Sequence, residues 1–273
     1  MEETPRKVGI VGYGNLGKYL VENMDDSFEL SFVYNRDTSK IKGVDGEKVL
    51  QNLDDFTNYD VDLIVEVAHP EISKKYATRF LQHADYMPGS PTAFADKELE
   101  SKVLDFVEKD ESHAMYVPRG AMWYLDCILQ LVANNKLKKM NVTMKKHPLS
   151  IHYYGPLEIP LAEITKETTI YSGSVRQVCS YAPNNVNTMA VAALASQLGM
   201  DNVTAQLVVD PQLESHIIEV ELYGAGEGQD CYVEKAQRYN PAKKGAVTGS
   251  ATYLSFLNSM KRAHGHKNGL HFC

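Results

Sequence analysis

The chain of 273 residues carries 28 Lys and Arg against 35 Asp and Glu, a formal charge of −7. With 44% hydrophobic and 23% charged residues and a mean hydropathy of −0.32, it has material for a sizeable core and too much of it for a disordered chain. An acidic balance without a basic block excludes an electrostatic footprint for nucleic acid or anionic lipid, which leaves a small molecule as the expected partner.

The polar MEETPRK start lacks the apolar run of a secretory leader, and no segment approaches the roughly 20 apolar residues of a membrane helix, so a cytoplasmic setting is expected. Residues 7–11 (KVGIV) read as a strand that ends in the glycine turn GYGNLG, and the following KYLVENM as a helix. Residues 29–34 and 61–67 read as further strands, the latter buried and parallel. Residues 70–84 place Ile72, Tyr76, Phe80 and Leu81 near one helical face, and residues 97–109 do the same with Leu99, Val103, Phe106 and Val107. This alternation predicts a Rossmann-type doubly wound parallel sheet over 1–120, an α/β fold.

After VPRG at 117–120 the pattern changes. Residues 124–134 predict a helix, 139–146 an alternating strand and 187–198 a small-residue helix, followed by strands at 203–209, 217–223 and 231–236. Successive strands with short connections predict a second α+β domain over 121–245 with a mainly antiparallel sheet. A final helix over 250–263 has Tyr253, Leu254, Phe256, Leu257 and Met260 to bury, and is expected to carry 246–273 back onto the first domain.

Gly12, Gly14 and Gly17 form a GxGxxG directly after a strand and at the opening of a helix, with Asn15 and Leu16 inside it. Gly12 permits the tight turn, Gly14 lets a pyrophosphate approach the backbone, and Gly17 allows close helix–strand packing. A dinucleotide is expected. Asn35 stands where an acid would bind the ribose hydroxyls of NAD, and Arg36 follows it, so a 2′-phosphate would meet a guanidinium and no repelling carboxylate. This favours NADP, or use of both NADP and NAD. Ala68 and His69 close the strand at 61–67 and are expected to line the cofactor crevice, with helix capping the other reading of His69.

Cys127, Cys179, Cys231 and Cys273 are widely spaced, which predicts reduced thiols and no metal site. His264, His266 and His271 match no metal signature and read as a mobile surface tail. His216 precedes a second-domain strand, where it is a candidate acid–base group by position alone. The polar segment 171–176 and the amides of 182–187 read either as helix caps or as ligand-facing groups.

Taken together, GYGNLG, SPTAFADKEL at 90–99, VPRGA at 117–121, GSVRQV at 173–178, APNNVNTMAVAALA at 182–195 and DPQLESHIIEVELYG at 210–224 resemble the L-aspartate dehydrogenase family over nearly the whole chain. The resemblance implies that His216 is the catalytic residue and that Ala121 and Asn187 contact the nicotinamide cofactor. It also implies oxidation of L-aspartate to iminoaspartate, which hydrolyses to oxaloacetate and ammonia or feeds NAD synthesis, and assembly as a homodimer. On this reading His216 works near the ordinary imidazole pKa of about 6.5, and Arg119, Arg176 and Lys145 are candidates for the substrate carboxylates. Members of that family often follow VPxGA with Ile-Gly-Gly, whereas this chain has Met122-Trp123-Tyr124. Two large rings there narrow the site, re-aim it to another small amino acid, or close it, the last giving a catalytically quiet NADPH-binding sensor or interaction protein.

Overall fold

Parallel strands with apolar residues on both faces need cover on both sides. In the computed structural model, which describes residues 4–109, 112–226, 228–247, 249 and 251–273, the chain divides into two units. One takes the residues up to Pro118 together with Tyr253–Cys273, and the other takes Arg119–Thr252.

The first unit runs through β1 (Arg6–Val11), α1 (Asn15–Glu22), β2 (Phe28–Tyr34), β3 (Val49–Leu50), β4 (Leu63–Glu66), α2 (Pro70–Leu81), β5 (Asp85–Pro88), α3 (Lys97–Lys109) and β6 (Met115–Val117). The chain's last helix and strand, α7 (Ala251–Arg262) and β12 (Leu270–Phe272), complete it. Among the described residues these form one sheet in the order β12-β6-β5-β4-β1-β2-β3, with parallel pairs throughout. Val8, Ile10, Val33, Leu63 and Val65 share one buried cluster with Leu20 of α1 and with Phe256, Leu257 and Met260 of α7. Phe80 of α2 packs its ring against Phe56 and Tyr86, with centroids 5.0 and 5.4 Å away. Helices therefore cover both faces, the doubly wound arrangement.

Two expectations need correction here. Leu254 is 57% exposed, because the buried stripe of α7 follows Phe256, Leu257, Ser259 and Met260 and leaves Leu254 outward; the Ser250 start expected for this helix lies outside the described residues. His264 and His266 are exposed, as a surface segment would be, but the end of the histidine tail is held in the sheet. β12 pairs in parallel with β6, Cys273 is buried, and its N–H donates to the Val117 carbonyl at 3.1 Å. The edge of β6 has backbone groups to satisfy, and the tail satisfies them. The His266 and His271 rings stack with centroids 3.6 Å apart.

The second unit contains α4 (Leu125–Ala133), β7 (Lys139–Lys146), β8 (Thr168–Ser174), α5 (Val175–Tyr181), α6 (Asn187–Ser196), β9 (Thr204–Val209), β10 (Ser215–Tyr223) and β11 (Val233–Pro241). Its sheet has the order β11-β10-β7-β9-β8, with β7 and β9 parallel and the other neighbours antiparallel. Residues Thr188–Ser196 of α6 are all buried, which its run of small side chains permits. β11 starts later and runs further than the expected 231–236. β8 and α5 overlap the polar segment 171–176, read only as helix caps or ligand-facing groups, and the Ser174 hydroxyl does cap α5 by accepting the Gln177 N–H at 3.3 Å.

Alternation along β7 turns Met140, Val142, Met144 and Lys146 to the buried face and Asn141, Thr143 and Lys145 to the other. Among the described residues no helix is long and apolar enough to cross a membrane, and all four cysteines are free.

Candidate functional site

In the first unit, the turn between β1 and α1 depends on glycine at two positions for different reasons. Gly12 has φ +111°, and a Cβ there would lie 2.8 Å from the Ala68 nitrogen. Gly14 precedes α1 with an ordinary φ of −79°, and a Cβ on it would meet nothing within 4 Å. The space above Gly14 is open, and no side chain caps the first turn of α1. Asn15 and Gly17 supply N–H groups in that turn, while Leu16 packs on the core cluster. These residues fit a dinucleotide pyrophosphate, which needs bare backbone donors at a helix start.

Asn35 holds this turn together. Its Oδ1 accepts the Tyr13 N–H at 3.2 Å and its Nδ2 donates to the Asp37 carbonyl at 2.7 Å. Arg36 is exposed and makes no hydrogen bond or ion pair with the described residues. Ala68 lies beside Gly12, and His69 caps α2 by accepting the Glu71 N–H on Nδ1 at 3.3 Å.

The backbone of Ala68 and His69 is fixed by a residue that sequence reasoning passed over. Glu66 is fully buried at the end of β4. Its Oε1 accepts the N–H groups of Ala68 (2.7 Å) and His69 (2.8 Å) and the Ser90 hydroxyl (3.2 Å). Its Oε2 accepts the Ser73 hydroxyl and the Ser90 N–H, both at 3.1 Å. Burial nevertheless outweighs these donors and pushes its carboxyl up to about 7. The only sequence signal was an acid ending an apolar run.

In the second unit, His216 sits near the start of β10 and is 5% exposed. Its Nε2 is buried without a hydrogen-bond partner among the described residues. One step beyond the Ile217–Lys145 pair of the β10–β7 register stands Lys146, on the same buried face. Lys146 is 2% exposed, and its Nζ donates to the carbonyls of Asn185 (3.1 Å) and Val247 (3.2 Å). Burial lowers the Lys146 ammonium to about 8. Burial, and then the Lys146 charge, lower the His216 imidazole to about 4, against a smaller opposing effect from a hydrogen bond to the Ala246 backbone. The ordinary value near 6.5 expected for His216 is thereby corrected, and the ring is neutral at pH 7.

Asn185, next to α6, donates from Nδ2 to the Ser150 carbonyl at 2.8 Å and accepts the His152 N–H on Oδ1 at 2.9 Å. That network holds the start of α6, where Asn187 is the first, half-buried residue. Lys146 was missed, and Asn185 was read only as one of the amides of 182–187. A lysine in the apolar phase of KMNVTMKK was the available signal, since its inward neighbours are Met and Val.

Three proposed carboxylate ligands fare differently. Lys145 points to the opposite face of the sheet from His216, between Glu219 (3.4 Å) and Glu167 (3.5 Å). Arg176 pairs with Asp201 at 3.0 Å near the start of β9, whereas Lys146 pairs with Val209 at its end. The structure does not bring these two together with His216. Arg119 is bonded to Asp126 at 3.3 Å. Ala121, half-buried, accepts the Trp123 N–H at 3.1 Å. Met122 is fully buried, the Trp123 ring carries the Arg238 guanidinium 5.8 Å from its centroid, and the Tyr124 hydroxyl donates to Glu234. Both rings are thus engaged by side chains of β11.

A parallel sheet with an open glycine cradle, carried in one chain with an α+β unit that buries a histidine, fits the class of dinucleotide-binding proteins that take NAD or NADP as cofactor. Residues 12–118 match the family described as "Homoserine dehydrogenase, NAD binding domain", and residues 127–259 match "Aspartate dehydrogenase, C-terminal". The chain belongs to the aspartate dehydrogenase family. It is 41% identical to an aspartate dehydrogenase domain-containing protein of Danio rerio, covering 100% of both chains. An L-aspartate dehydrogenase of Archaeoglobus fulgidus is 27% identical, over 96% of this chain and 98% of that one. The crystal structure of an aspartate dehydrogenase from Thermotoga maritima has a like fold, with TM-score 0.70, 24% identity and 94% of each chain covered.

Proposed function

We propose that this chain oxidises L-aspartate at its α-carbon, using NAD or NADP and giving iminoaspartate, which water converts to oxaloacetate and ammonia. The observation that carries the reading is the buried Nε2 of His216, without a partner among the described residues, in a ring that is neutral at pH 7. When bound, the nicotinamide supplies the acceptor for the hydride. The α-ammonium of the substrate must lose a proton before hydride can leave, and a neutral imidazole accepts that proton. The Ala246 backbone acts on the ring, and Nε2 is the nitrogen left to meet the substrate. Relatives named as L-aspartate dehydrogenases support the choice of amino acid. A homodimer working in the cytoplasm belongs to the same proposal.

The test is reduction of NAD or NADP by purified protein with L-aspartate, followed by absorbance. His216→Ala is expected to keep cofactor binding and to lower turnover by about 10²–10⁴-fold. Unchanged turnover would remove His216 from the mechanism. One observation favours a second reading, a quiet NADPH-binding protein: Trp123 and Tyr124 fill the place of an expected glycine pair. NADPH binding without turnover of any small amino acid would establish it.

A further inference from the structure

An ammonium held almost wholly out of water normally stands against a carboxylate, since burying an unpaired charge is costly. Lys146 has none: among the described residues its Nζ meets only the carbonyls of Asn185 and Val247. Those two carbonyls belong to two different segments, one of them the loop whose Ala246 acts on His216. Asn185 leads into α6, and Val247 follows Ala246, to whose backbone the imidazole bonds. The same loop is held a second time where the Gly245 N–H donates to the Ser150 hydroxyl at 3.0 Å. Ser150 in turn gives its carbonyl to Asn185.

We propose that Lys146 is a positioning residue for His216, tying the loop that bonds the imidazole to the segment that opens α6 and opposing, by its own charge, a second positive charge on the ring. The proposal rests on the reading of His216 as proton acceptor. A neutral lysine substitute could hold a carbonyl, and a distant cation could repel a proton; Lys146 does both from one atom. The groups around the pair leave it the dominant charge. Asn240 of β11 lies opposite His216, and Arg238 shares that face one pleat further away. Asp210 follows β9, Glu214 precedes β10, His147 follows β7, and Lys243 and Lys244 lie in the loop. Of the charged groups, Lys146 is the one that acts on the His216 proton.

The experiment is an NMR titration of the histidine rings in the full-length protein, with His216→Gln to assign the signal, in native protein, Lys146→Met and Lys146→Arg. The native His216 midpoint is expected well below the ordinary 6.5. It should rise by about one unit or more in Lys146→Met and stay low in Lys146→Arg. A native midpoint at the ordinary value, or one that Lys146→Met does not move, overturns the proposal. If Lys146→Met fails to fold, Lys146→Gln, which keeps one carbonyl bond and removes the charge, is read the same way. No substrate enters this measurement, so a low, Lys146-dependent midpoint in a protein that does not oxidise L-aspartate would sink the proposed reaction and leave this inference standing.

Discussion

A Cβ placed on Gly17 would stand 1.9 Å from the carbonyl oxygen of Gly12, so the first helix reaches the glycine turn at a distance that no side chain permits. Gly14, three residues earlier, has open space where its Cβ would be. The two positions therefore separate folding from binding. Gly17→Ala is expected to destabilise the protein by about 2 kcal/mol or more and to lower Tm by roughly 5 °C. Gly14→Ala should leave Tm within about 2 °C yet weaken NADPH binding at least about tenfold. Thermal melting and fluorescence titration check both, and an unchanged Kd for Gly14→Ala would remove that residue from the cradle.

Stability should depend on pH through two buried groups of opposite sign. Glu66 rises from 4.5 to about 7, so the folded protein holds its proton more tightly, and this contribution is full below pH 4.5 and lost as pH rises through 7. His216 falls from 6.5 to about 4, so the folded protein resists protonation, and this contribution is full above pH 6.5 and lost as pH falls through 4. Each amounts to about 3 kcal/mol at most, and between pH 4.5 and 6.5 they largely cancel. His216→Gln should unmask a loss of stability on raising pH from 5 to 7, and Glu66→Gln a loss on lowering it. Urea unfolding at several pH values would show parallel curves for both variants and native protein if the assignment is wrong.

Cofactor choice should turn on Asn35 and Arg36. Arg36→Ala removes an unengaged guanidinium and is expected to weaken NADPH about tenfold while leaving NADH within about twofold. Asn35→Asp keeps an oxygen for the Tyr13 N–H and adds a negative charge where a 2′-phosphate would lie. It should shift the preference toward NADH. Equal effects on both cofactors would mean that neither residue reads the 2′ position.

Trp123 stacks on Arg238, a contact worth about 0.5–1 kcal/mol at a partly exposed site. Trp123→Gly is expected to lower Tm by a few degrees and to change turnover with L-aspartate by less than about threefold, because the ring serves the packing of its own unit. A rise of tenfold or more would show that the ring occupies substrate space.

The doubly wound class was legible because β1 and β4 are apolar runs and the helices carry clean stripes, as in the 97–109 segment, whose helix begins and ends where expected, whereas β3, β5, β6 and β12 have only two to four residues each and were not read as strands. The glycine cradle was legible because a backbone requirement fixes residue type. The surroundings of His216 were less so. Lys145 and Lys146 are adjacent in sequence and lie on opposite faces of a sheet, and only the phase of the alternation through Met140, Val142 and Met144 tells which of the two faces inward. Arg176 attracts attention as a cation, yet Asp201, remote by 25 positions in the chain, already engages it. Glu66 was hidden for another reason: besides the neighbouring Ala68 and His69, its donors are Ser73 of α2 and Ser90 after β5, which reach it only once the sheet and helix have packed.

The first unit takes α7 and β12 from beyond the second unit in the chain. During synthesis the strands β1 to β6 are made first, but the rest of the cover for the face that α1 shares with α7, and the partner for the β6 edge, arrive only when residues 253–273 have left the ribosome. The second unit, by contrast, has all its strands in hand before that point. The nucleotide-binding half, first to be translated, is thus the last to complete its core, and in the interval it shows an unpaired edge and an apolar face that α1 covers only in part.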